Sequence, residues 1–169
     1  MTNDGGRPLV RRASVVNRRT MAKFLTKDQE KTVIAAIKEA ELNTSGEVRV
    51  HIEDKCKGGD GIKRAIQVFA ELGMHETDLR NGVIVYVATR DHKIAVWGDE
   101  GINQKVGQHF WDDVLATMKK YFQADDYETG LRDAILMIGQ KLKEHFPYQS
   151  DDVNELSDDI SYGKEDKDA

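Results

Sequence analysis

The chain of 169 residues contains one cysteine, Cys56, so it cannot close a disulfide on itself or build a Cys-based zinc site within one chain. A reducing compartment fits that usage, and a cytoplasmic location is expected. Long apolar runs are missing too. No stretch approaches the roughly 18 to 20 apolar residues that span a bilayer, and the N-terminus has no apolar signal-peptide core. A soluble protein without membrane insertion is therefore expected. Acidic residues outnumber basic ones clearly once the first 20 residues are set aside. The formal net charge is −5, yet residues 1–20 carry five arginines against Asp4 alone, which leaves −9 for the remainder. That balance argues against nucleic acid as a partner and favours cations or basic protein surfaces.

Catalytic signatures are also absent. The five histidines, His51, His75, His92, His109 and His145, form no H-E-x-x-H pair or other close metal spacing, so zinc is not expected. Gly58-Gly59-Asp60-Gly61 follows a strand pattern but lacks both G-x-G-x-x-G and the Lys-Ser/Thr ending of a phosphate loop. A nucleotide site is not expected there. Phe110, Trp111 and Phe122 read as packing anchors, since no basic groove accompanies them.

What is present divides into three parts. Residues 1–20 have no helical or strand period and contain Arg11-Arg12-Ala13-Ser14-Val15, a pattern read by basophilic kinases. They read as a disordered expression or labelling tag ahead of Met21, the alternative being a native basic arm. Residues 149–169 hold eight acidic residues against Lys164 and Lys167, and read as an acidic disordered tail. The domain is expected over 21–148. With 39% apolar residues in the chain, one core is the default.

Within that domain, Thr26-Lys27-Asp28-Gln29 has the form of a capping box, followed by Val33, Ile34, Ile37 and Ala40 at helical spacing. Glu47 to Glu53 alternates strictly, with Val48, Val50 and Ile52 on one face and Glu47, Arg49, His51 and Glu53 on the other. Ile62, Ala65, Ile66, Phe69 and Leu72 predict a helix closed by Gly73. Gly82 to Ala88 is a short apolar run that predicts the central strand, and the polar turn Thr89 to His92 makes a hairpin with Lys93 to Trp97. Two further helices are expected, one burying Phe110, Val114, Leu115, Met118 and Phe122, the other Leu131, Ala134, Ile135, Ile138 and Leu142 before Pro147.

A helical crossover between the first two strands makes them parallel, and the hairpin sets the third antiparallel to both. The start of the first strand, the start of the second and the end of the third then share one edge. That edge gathers Ser45-Gly46-Glu47, Asp78-Leu79-Arg80-Asn81-Gly82 and Gly98-Asp99-Glu100-Gly101. Hard cations take six to eight oxygens from carboxylates, amides and backbone carbonyls, so Glu47, Asp78, Asn81 and Asp99 are the candidate metal ligands. Asp112 or Asp113 could supplement them. The structural alternative pairs Glu47 with Arg80, makes Asp99 a helix cap and Asn81-Gly82 a turn.

Thr44-Ser45-Gly46-Glu47-Val48-Arg49-Val50, Leu72-Gly73-Met74-His75-Glu76-Thr77, Arg80-Asn81-Gly82-Val83, Trp97-Gly98-Asp99-Glu100-Gly101-Ile102-Asn103, Phe110-Trp111-Asp112 and His145-Phe146-Pro147 resemble, in order, the motifs of TPM domains. The resemblance covers residues 25–147. It implies an α/β/α three-layer sandwich with a small mixed sheet, somewhat Rossmann-like. It also implies kinship with thylakoid-lumen proteins of photosystem II repair and with a nematode receptor-associated protein. Calcium binding and weak acid phosphatase activity are associated with plant members. By that analogy the edge site becomes a site for Ca²⁺, with Mg²⁺ as the alternative ion, in a regulatory or structural role. The alternatives are a weak metal-assisted phosphatase acting on phosphomonoesters, with Glu47 or Asp99 as base, and an interaction module that binds a protein partner without catalysis. A monomer is expected.

Overall fold

The computed structural model describes residues 24–148 and 160–163. Residues 1–23, which include the expected tag with Ser14 and the expected start Met21, and residues 149–159 and 164–169 of the expected tail lie outside the described residues. The element order is α1 (Lys27–Glu41), β1 (Glu47–Glu53), α2 (Gly61–Glu71), a 3₁₀ turn (Met74–Glu76), β2 (Gly82–Ala88), β3 (Lys93–Gly98), α3 (Glu100–Val106), α4 (Gln108–Phe122), α5 (Tyr127–His145) and β4 (Ser161–Tyr162). The sheet order is β3-β2-β1-β4. β1 and β2 are parallel, in register from Glu47↔Gly82 to Glu53↔Ala88, and β2 and β3 are antiparallel, from Val83↔Gly98 to Ala88↔Lys93.

Local chemistry starts the first helix where the sequence predicts it. Gln29 N–H donates to Thr26 Oγ1 at 3.1 Å and Thr26 N–H donates to Gln29 Oε1 at 2.9 Å, which satisfies two donors that the helix itself leaves open. Strand alternation then sorts the sheet into two faces. Val48, Val50 and Ile52 of β1 and Val83, Val85 and Val87 of β2 pack with α1, α4 and α5 in the larger core, where Val33, Ile37, Met118, Leu131 and Ile135 have no exposed surface. Ile84, Tyr86, Ala88 and Ala95 face α2 in a smaller core with Ala65, Val68 and Phe69. Helices thus cover both faces of one small mixed sheet, which is an α/β/α sandwich.

The crossover helix departs from its expected stripe. The buried residues of α2 are Arg64, Ala65, Val68 and Phe69, whereas Ile62 and Ile66 lie on the exposed side. The reason lies under the helix. β1 presents His51 and Glu53 to this layer, and the helix turns its arginine toward that carboxylate in place of an isoleucine. The helical region after β3 also divides, because Gly107, at φ +81°, separates α3 from α4. Within α4 the fully covered side chains are Trp111, Val114 and Met118, with Phe110, Leu115 and Phe122 partly covered.

The acidic tail contains a placed segment. Ile160 enters the larger core, and Ser161–Tyr162 pair parallel to β1 at His51 and Ile52. This gives β1 a neighbour on its outer edge, where a three-stranded sheet would leave unpaired backbone groups.

Candidate functional site

The three loops meet at one sheet edge as the topology requires. Asp99 N–H donates to Gly82 O at 2.9 Å, Glu47 N–H to Asn81 O at 3.4 Å, and Gly101 N–H to Arg80 O at 2.9 Å. Backbone bonds therefore tie the segment entering β2 to both neighbours. Behind it, Thr44 anchors the first loop: Gly46 N–H donates to its hydroxyl, and the Thr44 side chain lies against Phe146 O and Leu142 O at the end of α5. The loop of Arg80 is bent at φ +52°, in the left-handed region.

Glu47, Asn81 and Asp99 are buried there, at 2%, 1% and 1% exposure, in a position where polar side chains need partners. Asn81 Nδ2 donates to Ser45 Oγ at 3.2 Å, joining two of the loops through side chains. Asp99 holds the third. It caps α3 by accepting from Glu100 N–H at 2.8 Å, and Arg80 clamps it with Nε to Oδ2 at 2.7 Å and Nη2 to Oδ1 at 3.0 Å. The hydrogen bonds and charge of Asp99 raise the Arg80 guanidinium above its ordinary value. Thr77 Oγ1, on the same loop, is buried without a hydrogen-bond partner among the described residues.

Three of the four candidate ligands, Glu47, Asn81 and Asp99, are therefore brought to one buried edge, while Asp78 stands exposed on the loop between them. Arg80 forms a bidentate pair with Asp99, and the expected capping role of Asp99 is present. Asp112 and Asp113 are exposed on α4, engaged with Gln108 and His109. Among the described residues, no group of three or more His, Cys, Asp or Glu side chains is placed to hold a metal ion. The donors at this edge are a mixed set of hard oxygens: carboxylate, amide, hydroxyl and carbonyl. Oxygens of this kind are hard donors, which soft metal ions do not prefer.

A second polar cluster, which strand alternation alone does not reveal, lies at the opposite end of β1. Glu53 receives Arg64 Nε at 2.7 Å, Arg64 Nη2 at 2.9 Å and Tyr86 Oη at 2.5 Å, with His51 Nε2 at 3.4 Å. Burial raises the Glu53 carboxyl, and the bonds from Arg64, His51 and Tyr86 outweigh it, so the group sits well below the usual carboxylate range. Burial and the same carboxylate push the Tyr86 phenol up, and the Glu53 hydrogen bond raises Arg64. Both carboxylate oxygens are committed. The cluster is a closed, buried network, whereas at the other edge the arginine that holds Asp99 has 45% of its side chain exposed. Only the strict alternation of Arg49, His51 and Glu53 with apolar residues hints at the cluster in sequence, because its partner Arg64 lies on another element.

Among the described residues, no helix is long and apolar enough to cross a membrane. A comparison with curated proteins finds no match. Among solved structures, the chain is similar to the BA42 protein of the psychrophilic bacterium Bizionia argentinensis, at 42% identity over 83% of this chain and 96% of that one, with a TM-score of 0.76. It shares its fold with the N-terminal domain of a protein from P. gingivalis, at 14% identity, 79% and 94% coverage and a TM-score of 0.61. The N-terminal domain of the cg2496 protein of Corynebacterium glutamicum is a third, at 13% identity, 70% and 74% coverage and a TM-score of 0.56. The TPM domain profile matches residues 19–141, and with the 42% identical relative this shows that the chain belongs to the TPM domain family.

Proposed function

We propose that this TPM domain binds a divalent cation, Ca²⁺ in preference to Mg²⁺, at the sheet edge formed by Glu47, Asn81 and Asp99, with Asp78 at the rim. The ion serves as a structural or regulatory ligand. The observation that supports the reading is the burial of three oxygen-bearing side chains from three separate loops at one edge, beside loop carbonyls. Two carboxylates and neutral oxygens make a site of modest affinity, since tight calcium sites use more anionic ligands in a preformed cage. Ca²⁺ tolerates such irregular, flexible sets better than Mg²⁺, which demands near-octahedral geometry.

In this reading Arg80 is the resident counter-charge of Asp99, and the cation takes its place. Arg80→Gln consequently tightens Ca²⁺ binding by roughly three- to fivefold, the scale of an exposed ion pair that no longer has to be broken. Asp99→Asn abolishes binding. Amide NMR during a Ca²⁺ titration, with Mg²⁺ as comparison, checks both: saturable shifts are expected at residues 45–47, 78–82 and 98–101. If Arg80→Gln leaves affinity unchanged or weakens it, the arginine is not competing with an ion and this site is lost. Shifts confined to acidic residues after 149 exclude the edge site as well.

A further inference from the structure

The segment Ile160–Gly163 meets its receptor through every one of its residues. Ile160 is 8% exposed and packs into the larger core. Ser161 lies opposite His51 in the parallel pairing, and its Oγ is 3.0 Å from His51 Nδ1. Tyr162 lies opposite Ile52, and its hydroxyl donates to Glu30 Oε2 on α1. Burial and that carboxylate raise the Tyr162 phenol above its ordinary value. Gly163 N–H donates to Ile52 O at 2.8 Å, and a Cβ at this position would lie 2.5 Å from Glu53 Cβ and 2.8 Å from Glu53 Oε1. Only glycine fits against the carboxylate that Arg64 locks in place.

These contacts are those of peptide recognition by strand addition. Main-chain bonds to a sheet edge supply affinity, and side-chain complements at successive positions supply selectivity. The segment is short, and it reaches the edge from outside the matched family region of residues 19–141. We propose that the outer edge of β1 is a peptide-binding groove selective for an Ile-Ser-Tyr-Gly segment, and that the chain's own Ile160–Gly163 fills it as a releasable strap. The groove is distinct from the cation site, which lies at the other end of β1. Being tethered, the strap occupies the groove at high effective concentration, so a free peptide competes poorly until the strap is weakened.

The test uses the full chain carrying Ile160→Asp and Gly163→Ala, titrated with a synthetic peptide of residues 156–166 and followed by amide NMR. Saturable shifts are expected at residues 49–53 and at Glu30, and the unmodified chain binds the same peptide at least about tenfold more weakly. A peptide carrying Gly163→Ala is expected not to bind. The proposal is overturned if the doubly substituted chain keeps its dispersed spectrum and shows no saturable shift, or if the alanine peptide binds equally well. Hydrogen exchange on the unmodified chain gives an independent reading. The Gly163 amide is expected to be protected yet to exchange by local opening, at lower cost than the amides of β2. An unprotected Gly163 amide, or one that exchanges only through global unfolding, overturns the releasable strap.

Discussion

Arg64→Met lowers the stability of this domain by about 3–5 kcal/mol at neutral pH, because it removes one partner of a buried ion pair and leaves the other charge in place. Glu53 is 4% exposed and loses both guanidinium donors, at 2.7 and 2.9 Å, keeping only Tyr86 and His51. The pH dependence has a definite sign. In the unmodified protein the Glu53 carboxyl is depressed below its unfolded value of 4.5. Its contribution is therefore full above that pH and is lost as pH falls from there toward the folded value. In the variant the raising effect of burial has less opposition, so the carboxyl protonates more readily and the deficit narrows in acid. Urea unfolding of both proteins at pH 7 and pH 4 measures the difference. The pair Glu53→Gln with Arg64→Met recovers part of the loss, since no uncompensated charge remains. A deficit that is small at pH 7, or that widens in acid, contradicts this account of the cluster.

How far the sequence foretells this arrangement depends on the range of the interaction. Patterns that close within a few residues are legible: the Thr26–Gln29 box, the alternation of β1 and the apolar run of β2 all form the elements their periods predict. The meeting of the three loops is legible as well, because the parallel β1–β2 and antiparallel β2–β3 pairings leave one arrangement of strand ends. Which side chains pair across that meeting is not legible. Arg80 takes Asp99 in a bidentate pair and Glu100 at 3.8 Å, and that pairing depends on the φ +52° bend and on the backbone bonds that bring α3 beside it. The same limit hides Arg64, which looks like a solvated helix position until Glu53 is seen beneath it. It hides the strap too. Four residues in an acidic stretch carry no measurable period, and their order comes from a groove assembled by α1 and β1 more than a hundred positions earlier.

The two ends of β1 thus differ in what they can exchange. At Glu53 every strong donor is covered, and a strand is laid over the carboxylate. At Asp99 the clamp is an arginine with 45% of its side chain exposed. Removal of a covered partner costs stability, and in the proposed cation reading removal of the exposed arginine leaves Asp99 open to an ion. That contrast lets substitutions at the two ends separate structure from the proposed binding.

Gly101→Val tests the proposed binding end from the backbone side and is expected to cost about 3 kcal/mol, the upper part of the range for a side chain forced into a filled space. A Cβ at position 101 would stand 2.1 Å from Leu79 O and 2.6 Å from Arg80 O. Both obstacles are backbone carbonyls, which cannot rotate away as a long side chain does. The first turn of α3 must therefore separate from the loop entering β2, breaking the Gly101–Arg80 backbone bond and drawing Asp99 away from Arg80. Thermal unfolding measures the cost, and amide shifts localise it to residues 78–82 and 98–103 while β1 near Glu53 stays unperturbed. In the proposed calcium reading, Ca²⁺ affinity is expected to fall in this variant, because the α3 turn separates from the loop entering β2. In the same reading, Arg64→Met is expected to keep Ca²⁺ affinity wherever the domain remains folded, because that change lies at the far end of β1. Gly101→Val with unmodified stability would show that the loop yields freely, and equal Ca²⁺ affinity would place the ion elsewhere than at these three loops.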